Sequence, residues 1–452
     1  MKSVLYIFSL CFLFISVNSW AKTNCRIDFQ IKGLEYKAII FAMQYGEKQL
    51  IIDTIQLNNQ AMGFYESKER LTGGIYVVIF PSTKYFELLI NDEQFFSLIS
   101  DTTETMKNLI VEGSEETELF RQYQVKSSII AKTIRYNSEN AKTEALEFLN
   151  KDLSQFKDSI QRYMPLSFIN KYFQMQLEPT FPDSLLKTQK PGREMFVNLQ
   201  QYKKNHYFDN VDFKDHRLLR TRLLHEKLQY FFNVLLSQQA DSVCKEIDFL
   251  LHKTQANEEA YRYILSMLNQ NYRQANTSQQ EKILVYLADQ YYLNGKAPWA
   301  DPRFVKLLQE KCETLRPALM GVKAANLELQ TIDGKKIDIY NIDAPFLVIF
   351  FWSDDCKVCL AEAEKLNQFY LKNKSKGIEI LAIYVHADKN GFQDFLARTG
   401  YNWKFAYDPI LKSNFSKLYR VDSTPKIFLL NQEKTILDKS SNTNAFEQYL
   451  VK

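Results

Sequence analysis

Cys356 and Cys359, in the run Phe351-Trp352-Ser353-Asp354-Asp355-Cys356-Lys357-Val358-Cys359, are closely spaced thiols in a chain of 452 residues. Two intervening residues bring the sulfurs within bonding reach, which suits thiol–disulfide exchange, the attack of a thiolate on a disulfide sulfur. The motif joins an apolar run to a helical pattern, and a cysteine at a helix N-terminus is stabilised as thiolate by the backbone dipoles there. Lys357 adds positive charge nearby, while Asp354 and Asp355 oppose it. Half of a metal site is the first competing reading. Zinc asks for four ligands, often in close pairs, and the five histidines, at 206, 216, 225, 252 and 386, are scattered. No metal and no cofactor is expected. A static bridge is the second, and a loop this short would constrain little chain.

The elements around the motif must hold one thiol out and one in. Phe346–Phe351 is a continuous apolar run of the kind buried on both faces of a sheet. A helix follows from about Cys356 to Lys372, and Cys359, Ala363, Leu366 and Tyr370 form its inward stripe. Cys359 therefore starts on the buried side, with Cys356 at the exposed tip. Glu362 lies beside the stripe, where it reads either as a partly desolvated carboxylate exchanging a proton with Cys359 or as a solvated helix charge. Around this core the order is β and α. Strands at Leu327–Leu329 and Lys336–Ile339 flank the turn Asp333-Gly334. The strand Ile378–Val385, a helix near Gln393–Arg398, a short strand around Phe405 and a helix near Leu411–Tyr419 come next. Ile427–Leu430, Thr435–Leu437 and a last helix near Ala445–Leu450 complete a central sheet with helices on both faces.

With these residues placed, the segment from about Ala318 to Lys452 resembles the TlpA/ResA-type thioredoxin-like proteins of bacterial envelopes. The matching features are Phe351-Trp352 before the Cys-x-x-Cys, Glu362 three residues after its second cysteine, and Thr424-Pro425 before a strand. The resemblance implies that Cys356 attacks, that Cys359 resolves, and that Pro425 is cis, leaving the Thr424 backbone free to pair with a substrate peptide. Trp352 reads as a lid over the thiols or as core packing. The chain departs from its relatives at Glu364, where they often have a helix-kinking proline. At Phe350, classical thioredoxins carry a buried acid. The implied partners are protein thiols and disulfides, with a membrane-linked electron donor.

Upstream, residues 22–113 read as short strands with turn signals at Gly33, Gly46, Asn58-Asn59 and Gly73-Gly74, predicting an antiparallel β-sandwich. The runs Ala38–Met43, Leu50–Ile55, Ile75–Phe80 and Phe86–Ile90 mark strands. From 114 to 318 only Gly192 and Gly295 occur, and apolar residues recur at helical spacing, as in Leu224, Leu228, Phe231 and Leu235. Six to eight packed helices are expected there. Neither region shows catalytic residues. The multidomain plan is completed by the α/β thioredoxin-like fold at 319–452.

The chain begins with Lys2, an apolar run Val4–Val17 and Ser19-Trp20-Ala21, the pattern of a secretory signal peptide over residues 1–21. Export to the periplasm or envelope is the expectation, with no transmembrane span after cleavage. Cys25, Cys244 and Cys312 then join the redox pair in an oxidising compartment, and an odd number cannot all pair within one chain. Cys244 and Cys312 read as a bridge, as apolar packing or as free thiols. A net charge of +4 without a Lys/Arg run is no signature for nucleic acid. The expected function is an extracytoplasmic thiol–disulfide oxidoreductase, a reductase by resemblance. The alternatives are an envelope binding or scaffold protein with an accessory redox domain, and a thiol peroxidase. Ser353 fits the peroxidase pattern, but Ile349 stands where its proline should be.

Overall fold

The computed structural model describes residues 23–136, 139–187, 192–388, 390–440 and 443–450. The expected signal peptide, 1–21, lies outside the described residues. The chain divides into two compact units, Met1–Leu235 and Leu236–Lys452.

The first unit opens with β1 (Cys25–Lys32), β2 (Ala38–Tyr45), β3 (Lys48–Gln56), β4 (Met62–Ser67), β5 (Gly74–Ile79), β6 (Tyr85–Ile90), β7 (Phe95–Asp101) and β8 (Ile110–Glu112). They form two four-stranded sheets, ordered β4-β1-β7-β8 and β3-β2-β5-β6. Alternation turns Ile27 and Phe29 of β1, Ile39 and Phe41 of β2, Val78 of β5 and Leu98 of β7 into one shared core. The expected wholly antiparallel pairing is corrected at one place: β1 and β7 run parallel, with Ile27 opposite Phe96. Alternation fixes the buried face of a strand but not the direction of its neighbour. The second sheet intervenes in the chain between β1 and β7, so no tight hairpin dictates an antiparallel partner.

Helices follow: α1 (Glu115–Tyr136), α2 (Glu139–Tyr163), α3 (Phe168–Gln176), α4 (Asp183–Lys187), α5 (Arg193–His206) and α6 (Arg222–Tyr230). Ser167 caps α3 by accepting from Asn170 N, and Thr221 caps α6 by accepting from Leu224 N. Arg217, ahead of α6, forks onto Asp215 at 2.9 and 2.6 Å and donates to Asn91 at 3.0 Å. The stems of Arg217 and Arg220 lie so close over Gly73 and Gly74 that a Cβ at either glycine would collide with them.

The second unit starts with α7 (Ala240–Lys253), α8 (Glu258–Tyr272), α9 (Ser278–Leu287) and α10 (Pro302–Leu315). Residues 114–318 thus hold ten α-helices among the described residues, more than the six to eight expected. The difference lies in short pieces, such as the nine residues of α3 and five of α4, too brief to show a period.

Next come β9 (Glu328–Gln330), β10 (Lys336–Asp338), β11 (Phe346–Trp352), α11 (Lys357–Asn373), β12 (Ile378–Tyr384), α12 (Asn390–Thr399), β13 (Lys404–Tyr407), α13 (Phe415–Leu418), β14 (Lys426–Asn431) and β15 (Ile436–Ser440). The strands make one seven-stranded sheet, ordered β10-β9-β13-β12-β11-β14-β15. β11 lies inside it, parallel to β12 and antiparallel to β14. Val348, Phe350 and Trp352 face a core with α11 and α12, whereas Leu347, Ile349 and Phe351 face another with α13. Full burial of such side chains stabilises by roughly 1.5–3 kcal/mol each. The strand that delivers the Cys-x-x-Cys is therefore firmly held.

Candidate active site

β11 ends at Trp352, and Ser353, Asp354 and Asp355 carry the chain to Cys356, the N-cap of α11. Cys356 and Cys359 form a disulfide with Cα atoms 5.2 Å apart. The Cys356 sulfur accepts from Cys359 N at 3.1 Å, so an N–H of the helix's first turn points at it. Cys359 is 1% exposed, whereas Cys356 is partly exposed on a cleft of about 800 Å³ that also presents Val358, His386, Leu411 and Thr424. The inward stripe is present: Cys359, Ala363, Leu366 and Tyr370 are all buried.

Across the cleft lies the Thr424–Pro425 segment, joined by a cis peptide bond. The carbonyl oxygen of Thr424 is 3.4 Å from Cys356 Sγ, and its Oγ1 is 3.1 Å from Ser353 Oγ. Ser353 and Thr424, 71 positions apart in sequence, thus meet beside the dithiol because β11 and β14 are neighbours in the sheet.

Trp352 is fully buried, packing against Phe395 at 4.3 Å and Tyr384 at 4.9 Å. It sits in the core, as the packing alternative of its two readings has it. An aromatic at the end of a central strand gains more from burial under α12 than from covering a cleft. Glu362 is buried and pairs with Lys365 Nζ at 3.2 Å. Its helical spacing from Cys359 corresponds to about 5–6 Å between Cβ atoms. Phe350 takes the strand position of the classical acid and is wholly apolar core.

Two positioning residues, Tyr384 and Gly391, were not read from the sequence. Tyr384 donates to Asp354 Oδ1 at 2.8 Å. Burial, then the adjacent Asp354 carboxylate, push the Tyr384 phenol up, so it stays a donor. Gly391, at the start of α12, lets the Asp354 carboxylate approach where any Cβ would collide with it. A lone glycine in a helical pattern was the available signal. Asp355 is held below the ordinary carboxylate range, first by its hydrogen bond from Ser353. Asp354, Asp355 and His386 bring possible ligand atoms within 4.8 Å of one another, but all three are exposed, where acidic groups gather without an ion. Cys25, Cys244 and Cys312 are free and buried.

A central-sheet fold that sets a Cys-x-x-Cys at a strand-to-helix junction, opposite a cis-proline loop, defines the thioredoxin-like thiol–disulfide oxidoreductases. Residues 320–439 match the model of the AhpC/TSA family, so this segment is an AhpC/TSA thioredoxin-like domain. Residues 194–300 match a domain of unknown function, DUF5106. The thiol-disulfide oxidoreductase ResA of Bacillus cereus is 27% identical over 132 residues, spanning 28% of this chain and 73% of its own. The protein of that name from Bacillus subtilis is 27% identical over 123 residues, spanning 27% and 68%. Among solved structures, a thioredoxin-like protein from Bacteroides caccae is 20% identical with a TM-score of 0.42, covering 61% of this chain and 97% of that one. The thioredoxin domain of a thiol-disulfide oxidoreductase from Bacteroides vulgatus is 18% identical with a TM-score of 0.28, covering 29% and 97%.

Proposed function

We propose that the protein reduces disulfides of other proteins outside the cytoplasm, with Cys356 as the attacking and Cys359 as the resolving thiol. The observation that carries this reading is the asymmetry of the pair: Cys356 is partly exposed at the N-cap of α11 while Cys359 is buried. In the reduced form the Cys356 thiolate attacks one sulfur of a substrate disulfide. A mixed disulfide forms, and the other substrate sulfur leaves as a thiolate that takes a proton. Cys359 passes its proton towards Glu362 and attacks the Cys356 sulfur, releasing the second substrate thiol. The Cys356–Cys359 disulfide remains, and a membrane-linked dithiol donor returns two electrons. The Thr424 backbone, before Pro425, holds the substrate chain.

Export rests on the signal pattern of residues 1–21, and among the described residues no helix is long and apolar enough to cross a membrane. Insulin reduction tests the thiol assignment: Cys356→Ser should abolish turnover, and unchanged turnover would refute it. Cys359→Ser should trap a mixed disulfide at Cys356 whose partner mass spectrometry identifies. Direction is tested by equilibration with glutathione, where a dithiol less reducing than glutathione would argue against a reductase.

A further inference from the structure

The cleft beside Cys356 continues past Thr424. A second concavity, of about 500 Å³, lies along Pro425 and shares Ser423 with the first. One wall is Ser423, Pro425 and Lys426, and the other is Asn276 and Thr277 at the start of α9. Asn276, Thr277 and Ser423 are exposed, and Lys426 is partly so. The lining offers amide, hydroxyl and ammonium groups beside the apolar faces of Pro425 and Ile427.

The two walls are fixed to each other. Glu281 of α9 is buried and takes Arg420 Nη1 on one carboxylate oxygen at 2.6 Å and Lys439 Nζ on the other. Ser278 Oγ donates to Asp438 Oδ1 at 2.8 Å. Asp438 and Lys439 belong to β15, the neighbour of β14, which starts directly after Pro425. Arg420 lies in the segment leading into Thr424–Pro425. Separating α9 from this loop would leave the buried charges of Glu281 and Lys439 without partners, which is strongly unfavourable. The start of α9 is therefore a fixed part of the surface around the cis-proline.

We propose that the start of α9 belongs to the substrate site. Asn276 and Thr277, with Ser423 and Lys426, form a subsite for the hydrophilic residues flanking the disulfide cysteine of an extended protein substrate. The proposal rests on Cys356 being the attacking thiol. An extended chain advances about 3.3 Å per residue, so a strand crossing Thr424 reaches the second concavity within a few residues of its cysteine.

The test compares kcat/KM for insulin with kcat/KM for bis(2-hydroxyethyl) disulfide, which is too small to reach the subsite. Asn276→Trp fills the concavity from an exposed position and should lower the insulin-to-small-disulfide ratio about ten-fold, equivalent to about 1.4 kcal/mol. Lys426→Ala, on the opposite wall, should lower the same ratio. An unchanged ratio in both variants overturns the subsite. Cys356→Ser is the separate control: retained reduction of the small disulfide would overturn the thiol assignment instead.

Discussion

Cys356 Sγ lies 3.4 Å from the carbonyl oxygen of Thr424, across the cleft between α11 and the cis-proline loop. A thiol formed there on reduction can donate to that carbonyl, and a thiolate cannot. The surroundings of the sulfur therefore change with its protonation and with the arrival of a substrate strand.

Thiol accessibility gives the first prediction. After reduction of the folded protein, iodoacetamide should label Cys356 first and Cys359 slowly, since Cys359 is 1% exposed. Burial raises the Cys25 thiol and pushes Cys244 up to about 12 and Cys312 to about 11. These three should label only after unfolding. Peptide mapping checks the order, and equal rates at Cys356 and Cys359 would contradict the asymmetry.

Gly391 should not tolerate a methyl group. Gly391→Ala drives a Cβ into the Asp354 carboxylate that receives the Tyr384 hydroxyl. Overpacking of this kind costs about 1–3 kcal/mol. The expected result is a lower melting temperature together with slower insulin reduction, because the displaced loop carries Cys356. A variant that matches the wild type in both measurements removes Asp354 from the positioning of the dithiol.

The Glu281–Lys439 pair should behave as a buried ion pair. Their side chains are 9% and 8% exposed. Glu281→Ala leaves the Lys439 ammonium buried without its carboxylate, and should destabilise by about 3–5 kcal/mol in urea unfolding. Glu281→Leu combined with Lys439→Met should recover most of that loss. Arg420, 28% exposed, can turn to water in the double variant.

Acid stability should depend on Asp215. Burial would raise this carboxyl, but hydrogen bonds from Arg217, its charge, and Lys171 prevail and bring it down to about 2 from an ordinary 3.8. A folded-state value below the unfolded one gives stability that is complete above about pH 4 and disappears as pH falls through about 2, about 2 kcal/mol in all. Urea midpoints of wild type and Asp215→Asn should therefore differ at pH 7 and converge towards pH 2. A constant gap would show that the ion pair does not drive the difference.

The sequence was most legible where local pattern and burial coincide. The run Phe346–Phe351 announced a central strand, and the strand observed is Phe346–Trp352 with Leu347 to Trp352 fully buried. The stripe from Cys359 to Tyr370 announced which thiol faces inward. Legibility fell where the signal was short or shared between distant segments. β4 has no buried residue and gave no apolar run, and α3 and α4 are too brief for periodicity. Trp352 allowed two roles from the sequence, and only its neighbours Tyr384 and Phe395 decide between them.

By itself the sequence determined the chemistry available: two thiols at a spacing that permits exchange, on a strand and a helix whose apolar periods are local properties of the chain. Tertiary structure alone decided what surrounds them. Thr424 reaches Cys356 because β14 pairs with β11, and Glu281 reaches Arg420 and Lys439 because α9 packs beside β15. Such contacts join residues tens to more than a hundred positions apart, and they form only when sheet order and buried charge are satisfied together. No local pattern encodes them.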